Sequence, residues 1–392
     1  MAKQLRIMIV AGEPSGDAHA ASLVRALRDV APETEFDFFG AAGRLMRAEQ
    51  VKMVVDSDQL AIMGIVEVGR VLPRFIKAFR ALKRAAFELQ PHAVILVDWP
   101  EFNLRLARAL HRRGLKVIYY ISPQLWAWRP KRVSSIRRDV DLLLSILPFE
   151  ADWYKERGVT HVEYVGHPLA GEVKPRFSRL EFCLRQQLDP QRPIISFLPG
   201  SRLKELQRIL PPMLEAVKEI NHKQPDVQCV LCVAPSRTIE ETRRIIARQN
   251  GTNLLGGFET LKIIHGETRE ALGASDASAV ASGTATLEAA LVGTPMVIVY
   301  KESSINWHTL GRLITVEHFG LVNLVAGERV VTELMQNDLT GSQLTEELLG
   351  LLDKDRNSAL RQRLQEVAER LGDSGASERA ARIVLEALRE WN

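Results

Sequence analysis

A chain of 392 residues exceeds the roughly 250–300 that one hydrophobic core ordinarily supports, so two domains are expected. With 46% hydrophobic and 26% charged residues the composition excludes wholesale disorder, and no apolar stretch approaches the roughly 20 residues of a membrane-spanning helix. The net charge of +4 is too slight an excess to indicate nucleic acid as a partner.

In chain order, Leu5–Val10 reads as a near-continuous apolar strand. The stretch Met1–Val10 is short, carries Lys3 and Arg6 and runs into a Gly/Pro loop with no small-residue cleavage site, so a cytoplasmic or membrane-surface location is expected rather than export. The loop Ala11-Gly12-Glu13-Pro14-Ser15-Gly16-Asp17 follows, and Ser15 or Asp17 is placed to cap the next helix, Ala18–Val30. Glu13 and Asp17 are candidate bases, or else turn and capping residues. Further strands read at Phe36–Phe39, Val51–Val55, Ala93–Val97, Val117–Ile121, Leu142–Leu147 and Val162–Val165. Continuous apolar strands separated by helices mean a parallel sheet covered on both faces, a Rossmann-like half.

Between these strands, Leu60–Phe87 combines apolar residues such as Met63, Val66, Val68, Leu72 and Phe75 with Arg70, Arg74, Lys77, Arg80, Lys83 and Arg84, against one acid, Glu67. Such a segment is either a core helix with a solvated basic face or a helix lying at a membrane interface. Asp98 ends the strand Ala93–Val97 and opens Asp98-Trp99-Pro100-Glu101-Phe102-Asn103. A carboxylate there suits a general base, or caps the helix that follows. Ser122-Pro123-Gln124-Leu125-Trp126-Ala127-Trp128 sets two tryptophans after a strand, to contact sugar or acyl chains or to fold back on the core. Phe149-Glu150 and Gly166-His167-Pro168 each follow their own strand and belong on the same rim of the sheet.

The pattern pauses at Gly166–Pro193 and then restarts. Strands read at Ile194–Leu198, Val227–Ala234, Leu261–Ile264, Ala277–Ala281 and Met296–Tyr300, and Gln343–Trp391 is helical and charged. Pro199-Gly200-Ser201-Arg202 ends the first of these strands, where Arg202 is a candidate for phosphate, or a surface arginine at a helix start; Lys301 is a second candidate with the same alternative. Ser282-Gly283-Thr284-Ala285-Thr286-Leu287-Glu288 lies between a strand and a helix, as a cradle for a nucleotide diphosphate needs, or as a capped helix start. Domain boundaries are set at 1–170, 171–345 and 346–392, the last helices packing back on the first domain.

Two features that suggest metals read otherwise. Asp56-Ser57-Asp58 and Asp139-Val140-Asp141 are taken as turn and cap residues, and Cys229-x-x-Cys232 lies within an apolar strand that turns the two thiols to opposite faces. With Cys183 they make three cysteines, which fits a reducing compartment.

Taken together, the loops resemble those of the lipid A disaccharide synthases, family 19 of the glycosyltransferases. The stretches are Ala11–Asp17, Met63-Gly64-Ile65-Val66-Glu67-Val68, Ser122–Trp128, Leu147-Pro148-Phe149-Glu150, Val165-Gly166-His167-Pro168-Leu169, Leu198–Arg202 and Ser282–Glu288, in order along the chain to about Gly327. Leu321-Val322-Asn323-Leu324 departs from the family in lacking a proline before Asn323. The resemblance implies an α/β protein of GT-B type, two Rossmann-like domains with parallel sheets facing a central cleft. It implies an inverting transferase that joins UDP-2,3-diacylglucosamine to 2,3-diacylglucosamine 1-phosphate (lipid X), with no cofactor or metal.

On that resemblance Asp98 is the base, with Glu13 and Asp17 as rivals. Arg202, Ser282, Gly283, Thr284, Ala285, Thr286, Glu288, Lys301 and Asn323 face the donor, Glu288 at a ribose hydroxyl. Ser15, Met63, Val66, Val68, Leu72, Arg74 and Trp126 serve the acceptor or the cytoplasmic face of the inner membrane. The oligomeric state is left open, a homodimer included. Rival readings are another GT-B UDP-N-acetylglucosamine transferase or epimerase, or a non-catalytic nucleotide-sugar-binding protein.

Overall fold

A computed structural model describes residues 3–61, 68–250, 260–303 and 317–391. The chain divides into two compact units, 1–168 with 373–392, and 169–372.

The first unit is built on seven parallel strands, β1 (Lys3–Ala11), β2 (Thr34–Ala42), β3 (Lys52–Asp56), β4 (Ala93–Val97), β5 (Val117–Tyr120), β6 (Leu142–Ser145) and β7 (Val162–Tyr164), in the spatial order 3-2-1-4-5-6-7. Every residue of β4 is buried, as expected of a strand covered on both faces. One face packs against helix Pro14–Val30 and the last helix of the chain, Ala376–Trp391, through Leu23, Val24, Leu27, Val384 and Leu388. The other face packs against helices Val68–Leu89 and Pro100–His111 through Ala78, Leu82, Phe102 and Leu106.

The second unit holds β8 (Ile194–Leu198), β9 (Gln228–Val233), β10 (Lys262–His265), β11 (Ala277–Ala281), β12 (Met296–Tyr300) and β13 (Thr332–Met335), all parallel, in the order 10-9-8-11-12-13. Helices Leu203–Lys223 and Gly341–Gly350 cover one face through Leu206, Ile209, Met213, Leu344 and Leu348. The C-terminal helices therefore part company. Gly341–Gly350 and Lys354–Arg370 stay with the second sheet, and only Ala376–Trp391 belongs to the first unit. The turn at Gly372 (φ +85°) separates them.

The two sheets share a device that positions function. In each, strand order reverses beside the first strand, between β1 and β4 and again between β8 and β11. Helices leave to opposite faces at such a point, so the loops at the carboxyl ends of the two strands splay apart and leave a crevice for a ligand. The loops at these points are Gly12–Glu13 and Asp98–Trp99 in the first unit, and Pro199–Arg202 and Ser282–Gly283 in the second.

Candidate active site

In the first unit, pairing of Ala11 with Val97 brings Gly12 and Asp98 level at the strand ends. Asp98 (φ +48°) and Trp99 (φ +53°) are both left-handed, a conformation that costs a non-glycine residue about 1–2 kcal/mol. The surroundings hold that strain in place. The Asp98 carbonyl accepts from Asn103 Nδ2 and from the Tyr119 hydroxyl, each at 2.7 Å, and the Asp98 N–H donates to the Tyr120 carbonyl at 3.0 Å. Trp99 stacks on Phe102 at 4.1 Å between centroids. It also covers Gly12, where any Cβ would fall 2.1 Å from the indole, so this position requires glycine. With its backbone fixed, Asp98 presents a half-buried carboxyl whose pKa is pushed up to about 6, by burial first and by the nearby Glu13 charge second.

The first-loop residues separate by role. Glu13 and Ser15 are exposed, at the start of helix Pro14–Val30. Asp17 is buried, and its carboxylate accepts from the N–H groups of Gly43 (2.8 Å), Leu45 (2.8 Å) and Met46 (3.3 Å). Those bonds cap helix Arg44–Ala48, so Asp17 fastens the loop after β2 instead of offering itself as a base.

The tryptophan loop folds back. Trp126 is buried and donates to Glu150 Oε1 at 3.0 Å, edge-on to Phe149. Glu150, wholly buried, also accepts from the Ser122 hydroxyl at 2.6 Å and from the N–H groups of Ile146 and Leu147. Burial drives its pKa upward against those four donors. Trp126 is thus part of the core, and the expectation that it meets a sugar or acyl chain does not fit its place. His167 is likewise buried, its pKa pushed down to about 4 by burial and then by His19.

In the second unit, Leu198, Gly200–Arg202, Glu205, Cys232, Thr268 and Ser282–Ala285 with Glu288 surround a cavity of about 350 Å³. Two helices open onto it, Leu203–Lys223 and Thr284–Val292, whose N-terminal amides carry the partial positive charge that attracts phosphate. Gly283 (φ +151°) precedes the second helix and gives the turn into it. The Ser282 hydroxyl donates to the Phe319 carbonyl at 3.1 Å, and the buried Thr286 hydroxyl closes the first turn onto the Gly283 carbonyl at 2.8 Å. Thr286 therefore shapes the cradle from inside. Arg202 is exposed at the cavity's edge. Glu288 lines the wall and is gripped by Arg269.

Two predicted donor residues do not join them. Lys301 reaches the Leu339 carbonyl at 3.5 Å. Asn323 is fully buried and saturated: its amide N–H groups donate to the Val331 carbonyl and Glu333, and its oxygen accepts from the N–H groups of Val330 and Val331. An asparagine offers two donors and two acceptor positions, so none remains for a ligand here. Its partner Glu333 accepts from the Phe319 and Gly320 N–H groups, so the pair braces the segment that receives the Ser282 hydroxyl.

Sequence reasoning missed Asn103, Tyr119, Arg269, Glu205 and Glu333. Only Glu205 carried a local signal, three residues after the helix N-cap Arg202. Met63 and Val66 lie outside the described residues, and Val68 and Leu72 begin helix Val68–Leu89. Among the described residues no group of three or more His, Cys, Asp or Glu side chains is placed to hold a metal ion. Asp56 caps the turn at Asp58, Asp139 pairs with Arg138, and Cys229 and Cys232 are buried free thiols.

The family model for lipid-A-disaccharide synthetase matches residues 7–387. The chain is 43% identical to the lipid-A-disaccharide synthase of Myxococcus xanthus, covering 98% of this chain and 97% of that one. It is 42% identical to that of Geobacter metallireducens, with the same coverage. Among solved structures it is similar to the S. aureus MnaA–UDP co-structure (TM-score 0.66, 14% identity, 99% of this chain and 97% of that one). It is also similar to the UDP-GlcNAc 2-epimerase of Neisseria meningitidis bound to UDP-GlcNAc (TM-score 0.60, 11% identity, 99% and 100%). These likenesses show the GT-B fold. Over nearly its whole length, the chain belongs to the lipid-A-disaccharide synthase family.

Proposed function

We propose that this chain is the glycosyltransferase that forms the lipid A disaccharide, joining UDP-2,3-diacylglucosamine to 2,3-diacylglucosamine 1-phosphate. Family membership gives the reaction class. The observation that carries the chemistry is a carboxylate of raised pKa, held by strained backbone at one switch point, in a chain whose other switch point opens on a cavity faced by two helix N-termini.

In this reading Asp98 accepts the proton of the acceptor's 6-hydroxyl as that oxygen bonds to the donor's anomeric carbon. The bond from that carbon to the diphosphate breaks on the opposite face, and UDP departs with the electron pair. The product is a β-1,6 disaccharide 1-phosphate with the anomeric centre inverted. A pKa near 6 keeps Asp98 ionised at neutral pH and makes it a stronger base than an ordinary aspartate. The amides of Gly283 and Thr284 and the Thr284 hydroxyl, with Arg202, meet the charge that grows on the leaving diphosphate, while Ser282, bonded through its N–H to Val299 and its hydroxyl to Phe319, holds the loop in place. Glu288 is assigned to a ribose hydroxyl, and Glu13 and Ser15 to the acceptor side.

Both substrates carry acyl chains, which favours a place at the membrane surface. No helix among the described residues is long and apolar enough to cross a membrane. Helix Val68–Leu89 offers a basic face instead, with Arg74, Lys77, Arg80 and Arg84 exposed beside Ile76. We assign it to anionic lipid at the cytoplasmic face of the inner membrane.

The test is mass spectrometry of the products formed by purified protein from the two acylated substrates, with and without EDTA. Disaccharide 1-phosphate and UDP in equal amounts, undiminished by EDTA, are expected. Turnover of unacylated UDP-N-acetylglucosamine alone would overturn the assignment.

A further inference from the structure

The backbone amides that lead into helix Leu203–Lys223 are already bonded, and the acceptor is the protein's own. Glu205 Oε2 accepts from the N–H groups of Ser201 and Arg202, each at 3.2 Å. Its other oxygen lies 3.4 Å from the Arg202 guanidinium. Gly200 (φ +104°) makes room for this, since a Cβ there would sit 2.6 Å from Oε2. Glu205 is half-buried, and it borders the same cavity as Ser282 and Gly283. Two backbone donors and a guanidinium converging on one carboxylate form the ligand set that a phosphate oxygen takes in a nucleotide site.

We propose that Glu205 is a built-in competitor for the diphosphate of UDP: it claims the Ser201 and Arg202 donors, weakens UDP binding and hastens product release. The proposal rests on the reading of this cavity as the UDP site. A carboxylate and a phosphate cannot both occupy the same two N–H groups. Bound UDP therefore displaces the Glu205 side chain toward solvent and meets its negative charge nearby. A glutamate serving only as a helix cap has the opposite consequence. Its removal would loosen the loop that carries Arg202, and UDP would bind less well.

The sign of the effect thus separates the two roles. Calorimetric titration of UDP and of uridine into the wild-type chain, E205Q and E205A makes the test, with E205A standing in if E205Q fails to fold. UDP is expected to bind the variant about tenfold more tightly, as one charge-assisted hydrogen-bond competitor is removed. Uridine, which lacks phosphate, is expected to bind unchanged, and UDP becomes the stronger product inhibitor. Equal or weaker UDP binding, or an equal gain for uridine, overturns the proposal. A wild-type chain that binds no UDP refutes the reading of the cavity itself, which is a separate result.

Discussion

Arg269 donates to one oxygen of Glu288 twice, from Nε at 3.1 Å and from a terminal guanidinium nitrogen at 2.9 Å. The same guanidinium donates to the Glu172 carbonyl at 3.3 Å, so it ties the pocket carboxylate to the segment that follows the boundary between the two units. Nearby, Arg176 pairs with the buried Glu270, and the Gly273 position is closed by Pro175, where a Cβ would fall 2.6 Å from its ring. Held on one oxygen, Glu288 keeps a fixed direction, as a group that recognises a hydroxyl must.

Replacing Arg269 by glutamine leaves Glu288 in the pocket without the guanidinium that aims it. UDP affinity is expected to fall about 3- to 10-fold, the size of one partly exposed charge-assisted hydrogen bond. The loss should appear in KM for the donor rather than in kcat. It should shrink when 2′-deoxy-UDP replaces UDP. Equal losses for both nucleotides would detach Arg269 from ribose recognition.

Asp98 gives a prediction in two parts. As base, it is active only when ionised, so kcat/KM should fall as pH drops through about 6. D98A should lose about 10²–10⁴-fold in turnover. E13Q removes a neighbouring negative charge, so its acidic limb should move to lower pH. In the folded chain the Asp98 pKa lies above the 3.8 ordinary for an aspartate. The stability this group contributes is complete below the unfolded pKa and is lost as pH rises through about 6. At pH 7.5 the buried charge is therefore a cost, and D98N should unfold at a higher temperature while failing to turn over. The gain is on the order of 1–3 kcal/mol. A less stable D98N would mean that the carboxylate is held by partners rather than desolvated.

Much of this was legible from local pattern. Five apolar residues in a row make β4, and Asp98 follows at its carboxyl end, so its rim position could be read from sequence. The same holds for Ser282 after β11 and Arg202 after β8. Strand β13, with sequence Thr-Glu-Leu-Met, was not legible because it is short, half polar and at the sheet edge. Trp126 misleads for a different reason. Its loop looks exposed until Glu150, 24 residues away, supplies the buried acceptor for the indole N–H. Asp17 reads as a candidate base because a carboxylate in a glycine-containing loop after a strand suggests one, and Asn323 is named as a donor residue on the family resemblance alone. Which backbone amides they meet depends on segments brought together only in three dimensions, as with Gly43 for Asp17 and Val331 for Asn323.

Glu150 offers a test of the core rather than of catalysis. E150A leaves a hydroxyl, an indole N–H and two backbone N–H groups without their acceptor. Buried donors left unmade cost about 1–3 kcal/mol each in the worst case, though relaxation recovers part of it. Urea unfolding should show a loss of roughly 2–4 kcal/mol. E150Q should recover only part of this, because its amide nitrogen turns a donor toward other donors. Wild-type stability in E150A would mean that water replaces the carboxylate without cost.

The membrane assignment makes the last prediction. On helix Val68–Leu89 the buried positions Ala78, Leu82 and Ala86 recur every four residues and fix one face to the sheet, while Lys77, Arg80 and Arg84 are exposed. Each basic residue near an anionic surface contributes about 1 kcal/mol, so the triple reversal K77E/R80E/R84E should weaken binding to phosphatidylglycerol vesicles by at least 10²-fold. Flotation without detergent measures this, and neutral vesicles should not discriminate between variant and wild type. Polar substitution of Val66, Val68 and Leu72 tests the apolar contribution separately, since insertion is insensitive to salt whereas attraction to headgroups is screened. If both sets float as the wild type does, the basic face serves only solubility, and the acylated substrates must reach the enzyme by some other surface.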